Sequence, residues 1–294
     1  MDISIIIPTY RPGTYLYKCL DSIRCQQENS FNFEVLIILN GPLDDYISKI
    51  ENYLAQHSCQ NFKLLTTTAV GVSSARNKGL DIAVGDFIFF MDDDDILSEN
   101  YFRQLLNSAS SKRLSCSIIR NFKEDIQSSE KNYTGQLFTS DSTMVYHDKF
   151  RYRRLFSTCT AKLIPSRSIA SRRFNENFKL GEDALFMAHI SNAIEELILC
   201  SEVCYYRRIR KNSATMQKNS VIYELKNARD LLFAYSKIYL SSPIEYSFTF
   251  LVFRGLAVLK GLKFRLTHLV QLVISISNEL TIQSMETNQK TIEF

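Results

Sequence analysis

Nowhere in the 294 residues is there an uninterrupted apolar run approaching the roughly 18 positions of a membrane-spanning helix; the nearest stretch, Tyr246 to Phe253, is stopped by Arg254. A spanning segment is therefore not expected. The seven cysteines are an odd number, scattered, with no Cys-x-x-Cys pair and no histidine at zinc-like spacing, so a structural zinc site is excluded and buried reduced thiols are expected. The first residues, Met1–Pro8, carry an acid where a secretory leader has basic residues, and their apolar run is too short for one; this points to a cytoplasmic protein. No segment repeats at the 20–50 residue period of solenoids. With 45% hydrophobic and 22% charged residues the chain has the composition of an ordered globular protein, large enough for one sizeable domain or one with an appendage.

Charge is unevenly spread. Residues 1–150 hold 14 basic and 19 acidic side chains, and residues 151–294 hold 21 and 12. An acidic half suits cations; a basic half suits phosphates, nucleic acid or an anionic membrane surface.

Short, continuously apolar runs at Ile3–Pro8, Glu34–Leu39 and Phe87–Met91 are bounded by turn residues, as expected of strands buried on both faces of a parallel sheet. Helical patterns lie between them at Tyr15–Gln27, Asp44–His57 and Ser73–Val84, the last with Ser73 as its expected cap. The first half thus reads as α/β with right-handed crossovers. Farther on, Ser115–Phe122, Thr158–Ile164 and Val203–Arg208 read as strands, Gln127–Ser142 as a loop or flap, and Gly181–Ala193 as a helix. From Ile222 to about Leu280 the pattern is helical, and 283–294 reads as a frayed tail.

The run Asp92-Asp93-Asp94-Asp95 follows directly on the buried-strand pattern Phe87–Met91. Four adjacent carboxylates usually mark a solvated turn, but here they emerge at the carboxyl end of a central strand, the fourth, where open α/β sheets bind ligands. An extended chain would send Asp92 and Asp94 to the same side, able to share Mg²⁺ or Mn²⁺ with substrate phosphates. An EF-hand is excluded, since its sixth and twelfth positions are Leu97 and Arg103. A haloacid-dehalogenase type of phosphohydrolase is disfavoured too, because Ile96 stands where its threonine would be and the run ends the wrong strand. Gly71–Gly79 (GVSSARNKG) joins a helix N-terminus to Arg76, a combination suited to phosphate, although a surface arginine explains the residue as well. In Leu180–Phe186 (LGEDALF), complementing a helix dipole is by itself a sufficient reason for the acids.

Taken in order, Ile5–Tyr10, Glu34–Gly41, Ser74–Gly79, Asp86–Asp95 and Gly181–Asp183 resemble the signature of family 2 glycosyltransferases, over about residues 1–215; Tyr205–Arg207 and Asn212-Ser213 resemble the family's closing segment. The resemblance implies a GT-A fold, a Rossmann-like, mostly parallel sheet flanked by helices. It divides the chain into a catalytic and nucleotide-sugar-binding domain (1–215), a helical C-terminal extension (216–282) and the tail. It also implies inverting transfer of a sugar from a nucleotide-sugar donor to an acceptor hydroxyl, in surface-polysaccharide or related glycan synthesis. Asp183 matches the family's base and Asp94 the metal-binding Asp of its D-x-D motif, with Asp92 on the ribose side or in the metal's outer shell. Pro8, Thr9, Tyr10, Asn40, Arg76, Asp93 and Arg210 fall around the donor, Arg210 aiding the metal (Mn²⁺ or Mg²⁺) in neutralising the diphosphate. Where the family usually has an Asp that reads the base, this chain has Asn40, which can still meet uracil's mixed edge, so a UDP-sugar is favoured.

Two other readings remain: a metal-dependent nucleotidyl- or phosphotransferase on a similar sheet, and a non-catalytic nucleotide-binding scaffold of a glycan-assembly complex. A nucleic-acid binder is least favoured, because Tyr205–Lys211 is the only dense basic and aromatic cluster. Residues 151–173 contain seven cations and no acid, which suggests peripheral contact with an anionic membrane bearing a lipid-linked acceptor. Residues 244–262, apolar nearly all round, are expected in a core or in a homodimer interface.

Overall fold

The structure, a computed structural model, describes residues 1–26, 30–41, 45–138, 145–210 and 219–267. The expected alternation opens the chain: β1 (Ile3–Thr9), α1 (Tyr15–Arg24), β2 (Phe33–Asn40), α2 (Tyr46–Gln56), β3 (Phe62–Thr67), α3 (Val72–Ile82) and β4 (Phe87–Phe90). Then come β5 (Ile96–Leu97), α4 (Tyr101–Asn107), β6 (Arg113–Phe122), β7 (Glu130–Lys131), β8 (Val145–Tyr146), β9 (Lys162–Pro165), α5 (Ser166–Ile169), α6 (Glu182–Ile190), β10 (Glu196–Arg208) and α7 (Val221–Ser241). A last helix, α8, occupies 248–267.

Among the described residues the strands form one sheet of order β3-β2-β1-β4-β9-β6-β10-β5, with β7 and β8 paired outside that path to β6 and β10. β3, β2, β1 and β4 are parallel neighbours, as are β6 and β10. Only β9 and β5 on the main path run against them. Every residue of β1 and β2 is buried, which is why their sequences are mostly apolar; buried Ser4 and Glu34 bond to each other. Edge strand β3 has a mixed pattern and lacks that signal. One apolar cluster packs α1, α2 and α4 on one face of the sheet; a second packs α3, α6 and α7 on the other. Gly85 lets β4 start alongside β1, since a Cβ there would collide with the Ser4 backbone nitrogen.

Several expectations are corrected. Ser73 does not cap α3; Gly71, at φ 135°, is the cap, and Ser73 is buried in the helix's first turn. The strand expected over Thr158–Ile164 begins only at Lys162, because Ala161 turns left-handed (φ 61°) and the residues before it bend toward Asp183. The helical stretch from Ile222 is broken at 242–247, and the two halves fold back on each other, with Tyr239 against Phe248 and Glu224 paired to Arg265. Residues 244–262 are one-sided rather than buried all round: Tyr246, Phe250, Leu251 and Arg254 enter the second cluster's side of the molecule, while Phe248, Leu256 and Leu259 stay exposed. The cations of 151–173 do not share one surface, for Lys162 is 1% exposed and Arg173 pairs with Asp81. The tail 283–294, the helix beyond 267, the Asn212-Ser213 pair and the end of the 127–142 loop lie outside the described residues.

Candidate active site

Strands β1, β2 and β4 run parallel, so their carboxyl ends bring Thr9, Asn40 and the acidic run to one edge. The N-termini of α3 and α6 open toward the same edge: Arg76, one turn into α3, reaches carboxylates on both β4's end and α6. The acidic run does not stay extended. A turn closes at Asp92, with Asp95 N donating to its carbonyl (3.2 Å), so strand alternation does not decide where the four carboxylates point. Each has its own fate. Asp93 Oδ2 accepts from Thr9 Oγ1 at 2.5 Å. Asp95, 1% exposed, accepts from the Arg208 backbone N–H, while Arg208 Nε donates to the Asp94 carbonyl and its guanidinium lies over the Tyr15 and Phe122 rings. Asp94 pairs with Arg210 Nε at 2.5 Å and its side chain is 9% exposed. Asp92, 42% exposed, is the carboxylate most open to a ligand.

Arg76 is the hub. Its side chain is 4% exposed, with Nη1 donating to Asp183 Oδ1 at 2.6 Å and Nη2 to Asp92 Oδ1 at 3.1 Å. Both terminal nitrogens thus join the acidic run to α6 instead of reaching freely for phosphate. The other oxygen of Asp183 accepts from Thr158 Oγ1 (3.1 Å) and the Cys159 N–H (3.3 Å). These three donors fix the carboxylate's plane and leave it 18% exposed. Gly181, left-handed at φ 87°, starts α6, and its bare Cα admits Leu231 of α7. Asn227 of α7 donates to the Leu180 carbonyl, so the C-terminal hairpin braces the turn that carries Asp183.

The carboxylates exceed the cations that meet them. Burial, and after it the Asp92 charge, pushes the Asp94 carboxyl up to about 6; burial, and after it the Asp183 charge, pushes Glu182 up to about 7. Among the described residues no group of three or more His, Cys, Asp or Glu side chains forms a metal cage. Asp92 and Asp94 nevertheless fit a hard cation that arrives with a diphosphate, because Mg²⁺ and Mn²⁺ sites commonly use one or two carboxylates and fill the rest with phosphate oxygens and water.

On the β2 side, Asn40 is 2% exposed, its Nδ2 donates to the Gly71 carbonyl (2.8 Å), and its Oδ1 is buried without a partner. Ser73 Oγ, in the first turn of α3, is likewise buried and unpaired. Tyr10, 48% exposed, lies against Gly41, where any Cβ would strike its ring. Pro8 is buried in β1. Thr158, Cys159 and Arg208 were not singled out by the sequence, since none sits in a motif and each acts by folding against a distant segment; Tyr205, in the closing segment, proves to accept from Asp92 N through its hydroxyl.

The glycosyl transferase family 2 model matches residues 4–176, the stretch that supplies both the acidic run and Arg76. The chain belongs to this family. As a family 2 member it is 30% identical over 219 residues to the minor teichoic acid biosynthesis protein GgaB of Bacillus subtilis, covering 74% of this chain and 24% of that one. It is 24% identical to the glycosyltransferase GlyG of Streptococcus pneumoniae, covering 80% and 78%. The chain spans well under half the length of GgaB and of the putative glycosyltransferase EpsH of B. subtilis, of which it covers 40%. Crystal structures of S. aureus TarS share the fold: the 1–349 form in complex with UDP-GlcNAc aligns with a TM-score of 0.62 at 19% identity, over 80% of this chain and 66% of that one. The GT-A expectation therefore stands.

Proposed function

We propose that the protein is an inverting, metal-dependent glycosyltransferase that moves a sugar from a UDP-sugar to a hydroxyl of a growing surface glycan or polyol-phosphate polymer. The observation that carries this reading is the bridge from Asp92 through buried Arg76 to Asp183, which sets a donor-side and an acceptor-side carboxylate on either side of one guanidinium. Inverting transfer needs that separation. The acceptor oxygen attacks the anomeric carbon from the face opposite the diphosphate, the C–O bond to phosphate breaks, and the electron pair leaves on the phosphate oxygen. The hydroxyl proton goes to Asp183, whose three donors leave one of its roughly four acceptor positions open. Asp94 and Asp92 would hold the divalent cation, which when bound offsets the charge left on the diphosphate. Arg210, now on Asp94, is the cation able to change partners and follow the phosphates.

The donor's base follows from Asn40. With its N–H₂ group held by Gly71 O, Asn40 has only Oδ1 left without a partner, an acceptor suited to a base-edge N–H such as uracil N3–H; cytosine presents an acceptor there. The polymer-building role is supported by relatives named for teichoic acid synthesis, among them the poly(ribitol-phosphate) β-N-acetylglucosaminyltransferase TarP of S. aureus, 30% identical over 107 residues. A panel of nucleotide sugars, assayed for nucleotide release with Mn²⁺ or Mg²⁺ and a polyol-phosphate or glycan acceptor, tests the reading. UDP-sugar turnover that needs metal and acceptor is expected; release of pyrophosphate would assign a nucleotidyltransferase, and no turnover of any donor would leave a binding scaffold.

A further inference from the structure

Lys162 is an ammonium group placed where none belongs by packing alone: it lies on β9 in the middle of the sheet and is 1% exposed. Burial draws its pKa down. The acceptor it reaches among the described residues is the Thr160 carbonyl, at 2.8 Å. That carbonyl belongs to a small arch. Thr160 N donates to Thr158 Oγ1, the two threonine hydroxyls meet at 3.0 Å, and Thr158 Oγ1 and Cys159 N then donate to Asp183 Oδ2. At the arch's foot Ala161, 1% exposed, takes the left-handed φ of 61°, which folds the chain so that Lys162 reaches back beneath it. A left-handed alanine and a buried amine both cost stability, and such costs collect where geometry is functional.

We infer that Lys162 is a positioning residue for the catalytic carboxylate, acting through the Thr158–Thr160 arch; the inference rests on Asp183 being the base. The charges around that carboxylate agree with it. The charges of Lys162 and Asp183 interact, so the amine adds to Arg76 in offsetting the negative charge of Asp92 and Glu182 near that carboxylate.

The test compares Lys162→Met, Thr158→Val, their double variant and Asp183→Asn in the full chain, reading Tm, kcat and donor KM by UDP release. Lys162→Met removes a buried charge at nearly constant volume, so its Tm should equal or exceed the wild-type value while kcat falls about tenfold or more with donor KM within about twofold. Thr158→Val should act in the same sense, and the double variant should fall no more than about twofold below the weaker single one, because both break one path. Should the methionine variant not fold, Lys162→Gln is read by the same criteria. Wild-type kcat in the Lys162 variant, or additive losses accompanied by a lower Tm, would overturn the inference while an inactive Asp183→Asn leaves the base assignment standing. Full turnover in Asp183→Asn would overturn the base assignment itself.

Discussion

The two walls of the site are built differently. The wall proposed to take the donor comes from neighbouring strand ends within residues 1–95: Thr9, Asn40 and the acidic run, fixed by the parallel register of β1, β2 and β4. The wall proposed to take the acceptor is assembled from segments far apart in sequence, with Arg76 meeting Asp183 across 107 residues, Thr158 coming from the bend before β9, and α7 bracing Gly181. The first wall is a property of the sheet; the second is a property of tertiary packing. Binding of nucleotide and transfer of sugar should therefore separate on mutation.

The sharpest separation is expected of Asp183→Asn. It should lower kcat by about 10² to 10⁴ through loss of the base, with donor affinity near wild type, as steady-state kinetics and calorimetry would show; a matching loss of donor affinity would break the division between walls. Asp94→Ala attacks the other wall and should lower turnover by about 10², chiefly through metal-dependent donor binding, and residual activity should no longer respond to EDTA. Arg76→Lys keeps a charge but not the fork that spans Asp92 and Asp183, so it alone should impair both donor KM and kcat, by about tenfold each. Asn40→Ala removes the acceptor for the base and should raise the KM for a UDP-sugar about tenfold with kcat little changed.

The smallest effect is on stability. Asp94 and Glu182 have carboxyls raised to about 6 and about 7 by burial first and neighbouring carboxylates second, so the folded chain binds more protons than the unfolded one. Their contribution is full below the ordinary values of 3.8 and 4.5 and is lost as pH rises from there through about 6 and about 7. A Tm series from pH 5 to pH 8 should fall by a few degrees, and Glu182→Gln should flatten it. A Tm that rises over this range would place the excess charge elsewhere.

The same division governs how much could be read from sequence. The first wall was legible because its signals are local: Ile3–Pro8 and Glu34–Leu39 are apolar but for Ser4 and Glu34 since both faces of β1 and β2 are covered, and carboxylates directly after such a run must lie at a strand's end. The acidic pair that opens α6 was legible as a motif. What Asp183 touches was not, because Thr158 and Cys159 stand in an apolar-polar mixture that reads as strand until Ala161 turns left-handed. The apparent helix from Ile222 carried its own break, since Pro243 after Ser241-Ser242 cannot continue a helix; the apolar pattern shared by both halves outweighed that signal in the reading. Lys162 was visible only as one of seven cations, and its burial could not be read from its neighbours in the chain.

The account's central claim is that Asp94 and a divalent cation serve the donor while Asp183 serves the acceptor. Calorimetric titration of UDP into wild type, Asp94→Ala and Asp183→Asn, with and without Mn²⁺, tests it most directly. The account predicts metal-dependent UDP binding in wild type and Asp183→Asn and a loss of that dependence in Asp94→Ala; UDP affinity that ignores both Mn²⁺ and Asp94 would contradict it.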